Sequence, residues 1–303
     1  MISLRQHAIS LVAVFLALAV GVALGSGFVA DRVNSGGDSA SSSLRSQNDA
    51  LSAQVNASDS FNAAIAPRLL RGLLADRSVV VVTTPDAADA DVTAVKQILN
   101  QAGAGFAGQI GLTDELVGDT SAQKLTTIVD QAIPAGAQLR PELTDSGGRV
   151  GDLLGALLLR RVQSPAQVNP GDVTAGLQAL REGGYISYVD GSVSPGQLAV
   201  VVTGGELPAN SGARGQLVAR FAASFGARGA GAVLAGRAGS ADGGSPVAVV
   251  RSDGSLAKTV STVDDVDTSA GRIAAALALA EAQRGRTGAY GTGAGASAVV
   301  PAT

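Results

Sequence analysis

The sequence has no cysteine, no tryptophan, one histidine (His7) and one methionine (Met1). Without cysteine there is no disulfide framework, no thiolate nucleophile, no zinc–sulfur site and no lipobox-type lipid anchor. Soft metal ions are held by Cys, Met and His, so the body of the chain has no such ligands. A Ser-His-Asp or Cys-His arrangement cannot be built, because the only imidazole lies beside the N-terminal apolar run. The chain therefore reads as a non-enzyme, and no bound cofactor is expected. Aromatic residues make up 3% of the chain, too few for the girdles of a transmembrane β-barrel, and no ten-residue alternation repeats. The formal net charge is −3 with scattered basic residues, which excludes a broad electrostatic attraction to nucleic acid. Glycine is plentiful at 40 residues but follows no G-X-Y period, which excludes collagen.

What is present begins with an apolar run. Ala8 to Ala30 carries no charge and is interrupted only by Ser10 and Ser26. As a helix it would be about 34 Å long, enough for a hydrocarbon core of about 30 Å. Arg5 before it and Asp31 after it favour a cytoplasmic start and an extracytoplasmic remainder, a single-pass topology in the cell membrane or envelope. The alternative is a cleaved secretory signal, with Ala23, Gly25 and Gly27 near the cut. Both place the rest outside. Ala17, Gly21 and Gly25 recur every four residues, a small-residue face on which two such helices could meet.

Residues 31–77 are expected to be a Ser/Gly linker (Asn34 to Ser43) and a short helical stalk. In the stalk Leu44, Asn48, Leu51, Val55, Ser58, Asn62, Ile65 and Leu69 alternate in steps of four and three. That is the seam of a weak coiled coil, or else the inner face of a packed amphipathic helix; Pro67 kinks or ends it.

Residues 78–284 read as one α/β domain. Ser78–Thr83 (SVVVVT) is β-branched without alternation, as in a strand buried on both faces of a parallel sheet. Further strands are expected at Phe106–Gly111, Tyr185–Val189, Leu198–Thr203, Ala230–Ala235 and Lys258–Val263. Helices are expected at Ala87–Ala102, Asp114–Ile133 with a break near Gly118, Val150–Val162, Asp172–Glu182 and Leu217–Phe225, with an amphipathic one at Arg272–Gln283. Alternation of this kind predicts a doubly wound, mainly parallel sheet. Gln138–Gly148 could be a joint. Residues 285–303, rich in Gly, Ala and Ser, are expected to be a disordered tail.

Three constellations could carry chemistry. Gly103, Gly105 and Gly108 match G-x-G-x-x-G, but the motif follows a helix and leads into a strand, the reverse of a dinucleotide site; a helix cap and turn explain it better. Thr203, Gly204 and Gly205 end a buried strand, where ligands of such sheets sit, although a steric turn accounts for paired glycines equally. Asp264, Asp265 and Asp267 follow a strand and could hold Mg²⁺ or Ca²⁺ or raise one another's pKa; alternatively Asp267, Thr268 or Ser269 caps the next helix, with acids favoured at its positive end. Asp86, Asp89 and Asp91 after the first strand invite the same two readings.

Several segments together resemble the MctB-type copper transport proteins of actinobacterial envelopes, which are related to the SteB division-associated proteins. They are MISLRQHAISLVAVFLALAVGVALGSG at the start, VVVTGG, VARFAA, LAGRAGS, STVDDVDTSAGRI and, near the end, YGTG. The resemblance spans nearly the whole chain; the stalk departs from it in being shorter and richer in Ser and Gly. It implies a membrane-anchored protein of copper efflux and homeostasis, an oligomeric pore component for which copper is cargo rather than cofactor. A reading from another class is a non-catalytic, dimeric envelope scaffold that binds partner proteins in cell-wall remodelling or division. A third is an extracytoplasmic sugar- or nucleotide-binding domain using the Gly204-Gly205 crevice.

Overall fold

A computed structural model describes residues 28–118, 122–161 and 168–302. The expected anchor and its Ala17, Gly21 and Gly25 face lie outside these residues, apart from 28–30. Among the described residues no helix is long and apolar enough to cross a membrane.

The chain divides into two compact units, Met1–Ser58 and Asp59–Thr303. Helix α1 (Phe28–Leu69) makes up the whole described part of the first unit. It passes without a break through Asn34 to Ser43, where a flexible linker was expected. Gly costs up to about 1 kcal/mol in a helix relative to Ala. The helix is therefore carried through this stretch by propagation from its flanking turns rather than by propensity. Residues 42–58 are exposed throughout, so Leu44, Leu51 and Val55 of the seam are open to solvent.

The second unit begins with the last turns of α1, before the start at Ser78 expected for the domain. Ala66, Leu70 and Leu74 are buried, and α1 stops two residues after Pro67. The sheet and helices then follow in order: β1 (Ser78–Thr83), α2 (Asp89–Gln101), β2 (Gly105–Leu112), α3 (Asp114–Val117), α4 (Ala122–Gln131), α5 (Ser146–Leu158), α6 (Pro170–Glu182), β3 (Ile186–Ser187), β4 (Leu198–Val202), α7 (Arg214–Gly226), β5 (Ala232–Ala235), α8 (Pro246–Ser252), β6 (Ser261–Val263), α9 (Ser269–Ala282) and β7 (Ala289–Tyr290).

The seven strands form one sheet in the order β3-β2-β1-β4-β5-β6-β7. Every pairing is parallel except β2 with β3. The β-branched runs are buried on both faces. Val80, Val82, Ala199, Val201 and Leu234 pack into one core with α5 and α7, and Val79, Val81, Val200, Val202 and Val233 into a second with α2 and α9. Helix α9 is buried almost all round, Ala270 and Arg272 aside, so it is less two-faced than the amphipathic helix expected from its pattern. Its Ala-rich composition lets neighbours approach it from several sides.

Helices α5 and α7 lie backbone to backbone. A Cβ on Gly147 would come within 2.3 Å of Leu217 O, and one on Gly151 within 2.5 Å of Phe221 O. One on Gly155 would come within 2.9 Å of Phe225 O. Glycines four apart thus admit the facing helix residue by residue. This explains why α5 starts at Ser146, through the glycines expected to form a joint. Its N-cap is Asp145, whose Oδ1 accepts the Gly148 N–H at 2.8 Å.

Gly108 sits at φ +122°, where β2 gains a residue relative to β1: Val79 pairs with Phe106 but Val80 with Gly108. A Cβ there would meet Ser192 O at 2.6 Å. The third glycine of the G-x-G-x-x-G string thus serves a β-bulge, not a phosphate.

Candidate functional site at the strand ends

In a sheet of this kind ligands enter where neighbouring strands send their helices to opposite faces. Here that point lies between β1 and β4: α2 after β1 packs in one core, α7 after β4 in the other. The residues at this switch point are Thr84 and Asp86 after β1, Thr203, Gly204 and Gly205 after β4, and Arg214 at the start of α7. The Asp86 carboxylate joins the two strand ends. Its Oδ2 accepts the Gly204 N–H at 3.1 Å, and its Oδ1 lies 3.4 Å from Arg214 Nη2. A Cβ on Gly204 would fall 2.5 Å from Asp86 Oδ2, so only glycine admits the carboxylate. The Thr203 Oγ1, on a residue 1% exposed, makes no hydrogen bond among the described residues. Arg214 also reaches the exposed Asp114 at 3.5 Å.

The three aspartates after β6 share a loop but not a site, because alternate residues leave a strand on opposite faces. Asp264, 2% exposed, turns to α8, where Arg251 Nη1 lies 2.6 Å from its Oδ2. It also accepts the Thr292 N–H at 2.9 Å and the Gly293 N–H at 3.0 Å. Arg251 Nε donates to Thr262 Oγ1, Nη1 also to Ala294 O, and Nη2 to Tyr290 O. Successive N–H groups of the 291–293 loop thus form a nest around a carboxylate of their own chain. Gly291 is at φ +122°, and a Cβ there would lie 2.2 Å from Asp264 Oδ1.

This contact overturns the expectation of a disordered tail. Composition gives the tail little apolar area to offset ordering entropy, but Asp264 and Arg251 supply directed hydrogen bonds, and β7 pairs with β6. The Tyr290 hydroxyl donates to Glu281 of α9; burial, then that bond, pushes the phenol up to about 12.

Asp265 turns to the N-terminus of α9, where a Cβ on Gly271 would lie 2.5 Å from its Oδ1. That oxygen is buried without a hydrogen-bond partner among the described residues. Burial, then the charges of Asp264 and Asp267, raise its carboxyl to about 6. Asp267 Oδ1 accepts the Ala238 N–H at 3.1 Å. The cap of α9 is Thr268, whose hydroxyl accepts from Gly271 N at 3.0 Å, while Asp59 of α1 accepts from Ser269 N at 2.9 Å. On the same edge burial also raises Asp91 above 3.8, against the nearby charge of Arg237. Its Oδ2 lies 2.9 Å from Arg237 Nε, an ion pair without the alignment of a hydrogen bond. Among the described residues no group of three or more His, Cys, Asp or Glu side chains could hold a metal ion.

Sequence reasoning named Asp264 and the Thr203–Gly205 turn but missed their partners, Arg251, Asp86 in its role over Gly204, and the 291–293 loop. Helix α8, which carries Arg251, was also missed. Ser245-Pro246, a proline at the first turn, was its available signal.

Comparison with known proteins places the whole chain. The family described as "Copper transport outer membrane protein, MctB" matches residues 1–301. Proteins called "Copper transporter MctB" from Mycobacterium tuberculosis and Mycobacterium bovis are 45% identical over 310 residues, covering 99% of each chain. The protein of that name from Mycobacterium leprae is 45% identical over 321 residues, again covering 99% of each chain. With identity at this level from end to end, the chain belongs to the MctB family.

Proposed function

We propose that this protein acts in copper transport at the cell envelope, exporting copper or limiting its accumulation. The observation that carries the reading is 45% identity over 99% of the chain to proteins named as copper transporters. In this reading the 8–30 run anchors the chain by one helix, with the N-terminus cytoplasmic and the α/β body outside. Copper is cargo: Cys is absent, and His7 and Met1 both lie before the anchor, so soft-ion capture by the body has no ligands. One helix is not a channel, so a transport route requires several copies, brought together through Ala17, Gly21 and Gly25 or the seam. The direct test is copper accumulation in cells lacking the gene, with the intact gene restored as control. Higher copper in the deletion, reversed on restoration, is the expected result; unchanged copper sinks the transport reading.

A second reading is a non-catalytic envelope scaffold acting in cell-wall remodelling or division. It is favoured by the apolar seam residues Leu44, Leu51 and Val55, each more than half exposed on α1. Unchanged copper together with a cell-separation defect in the same deletion would select it.

A further inference from the structure

The two edges of the sheet use their cations differently. Where the strands end, Arg214, Arg237 and Arg251 pair with Asp86, Asp91 and Asp264, and Arg272 bonds the Val266 and Asp267 carbonyls. Where the strands begin, the side chains of Arg68, Arg71, Arg160, Arg161, Lys258 and Arg284 have no hydrogen bond or ion pair among the described residues. All but the half-buried Arg160 are exposed. Backbone and side-chain bonds place these residues along one edge. Arg68 and Arg71 lie at the end of α1, and the Leu74 N–H that follows them bonds Ala102 O at the end of α2. Arg77, directly before β1, donates through Nε to Gln283 Oε1, next to Arg284. Ser78 bonds Gln197 ahead of β4, and the Gln197 carbonyl accepts the Ala230 N–H ahead of β5. Arg160 N donates to Gly196 O at 2.9 Å, and Lys258 stands just before β6. From β1 to β7 the row crosses the sheet, about 20 Å at about 4.8 Å per strand. Asp76 is an exposed acid of this edge, while Glu281 is held by Arg286 and Tyr290. Helix ends favour cations, but that field fades within the last turn and does not reach Lys258, well past the end of α8. Nor does it explain six cations without acidic partners in a chain of net charge −3. We propose that this edge docks a linear polymer of phosphate groups. A row of cations matches a chain of repeating anions, and five of the six are arginines, whose guanidinium fits phosphate through paired N–H donors. The inference stands apart from the copper reading and survives its failure.

The test uses the purified full-length protein in detergent and end-labelled long-chain polyphosphate, with binding read by fluorescence anisotropy over a series of chloride concentrations. The wild type is expected to bind, and to bind more weakly as salt rises. Arg71→Glu/Arg160→Glu/Arg284→Glu is expected to lower the affinity at least about tenfold while melting as the wild type does. Arg45→Glu/Lys124→Glu/Arg181→Glu makes the same change of net charge away from the edge and is expected to bind like the wild type. If the first variant melts lower, Arg71→Gln/Arg160→Gln/Arg284→Gln is measured in its place. Absence of salt-sensitive binding by the wild type overturns the proposal, as does an equal loss in the two charge-reversed variants. Equal affinity for polyglutamate overturns the assignment to phosphate and leaves only charge. Binding to phosphatidylglycerol vesicles but not to polyphosphate overturns the polymer in favour of a lipid surface.

Discussion

Two aspartates at strand ends do the same thing in two places with different consequences. Asp264 and Asp86 each accept backbone N–H groups from a glycine-containing loop, and each pairs with an arginine. Asp264 and Arg251 are 2% and 5% exposed and 2.6 Å apart, and the guanidinium is used on every nitrogen. Asp86 and Arg214 are about a quarter exposed and 3.4 Å apart. A charge withdrawn from water must be fully partnered or its burial is prohibitive, whereas a half-solvated pair is worth little and can open. The first pair is a structural clasp that holds the tail. The second is a partly solvated pair that joins the ends of β1 and β4.

The strongest way to break the comparison is to remove one member of the clasp. Arg251→Ala leaves the Asp264 carboxylate buried without its cation and is expected to cost about 3–5 kcal/mol. Chemical denaturation would measure it, and limited proteolysis should then cut after Arg284 before the rest of the domain. A loss below about 1 kcal/mol would show that the tail loop alone satisfies Asp264.

Asp265 gives the next effect, and its sign runs against the usual acid behaviour. Its folded pKa is about 6 against 3.8 for an ordinary carboxyl, so between these values the folded state binds more protons than the unfolded. Stability from this group is complete below about 3.8 and is lost as pH rises through about 6. The loss is on the order of 2–3 kcal/mol. Asp265→Asn should flatten the slope of melting temperature over that interval; an unchanged slope would place the titration elsewhere. Asp152 works oppositely. Burial pushes its carboxyl up, but the Arg228 bond and the Arg140 N–H outweigh this and hold it below 3.8. Its contribution is present above 3.8 and disappears as pH falls through the lowered value, so acid unfolding should come earlier in Arg228→Ala.

Gly151→Ala tests the closest helix contact. The added methyl meets Ser224 Oγ at 2.3 Å and Phe221 O at 2.5 Å, so α5 and α7 must separate. A cost of about 1–3 kcal/mol is expected by denaturation, as for other overpacked cores. Asp86→Asn should be the mildest change, below about 1 kcal/mol, because the pair is partly solvated. A larger loss would make the two aspartates equivalent and remove the contrast.

The strands were legible because hydrophobic, β-branched runs have no other stable use than a sheet buried on both faces; Ser78–Thr83 has its expected limits. Most helices were legible to within a few residues. The linker and tail differ from expectation for one reason: low apolar content predicts disorder, whereas the helix passes through Asn34 to Ser43 and hydrogen bonds to two buried charges order the segment after Arg284. Glycine was also ambiguous, since the same residue marks a joint, a turn or a close helix contact. Only the facing backbone tells which.

The sequence by itself determined the alternating α/β class, the apolar N-terminal run, the lack of soft-metal ligands in the body and, through its motifs, the family. Each of these depends on local pattern or on residue type, which the chain carries without folding. Tertiary structure alone decided that Asp264 binds a loop nearly thirty residues further on, that Asp265 Oδ1 is buried without a hydrogen-bond partner among the described residues, and that Asp86 lies over Gly204. A carboxylate's chemistry depends on which donors and charges surround it, and those arrive from parts of the chain that only the fold brings together.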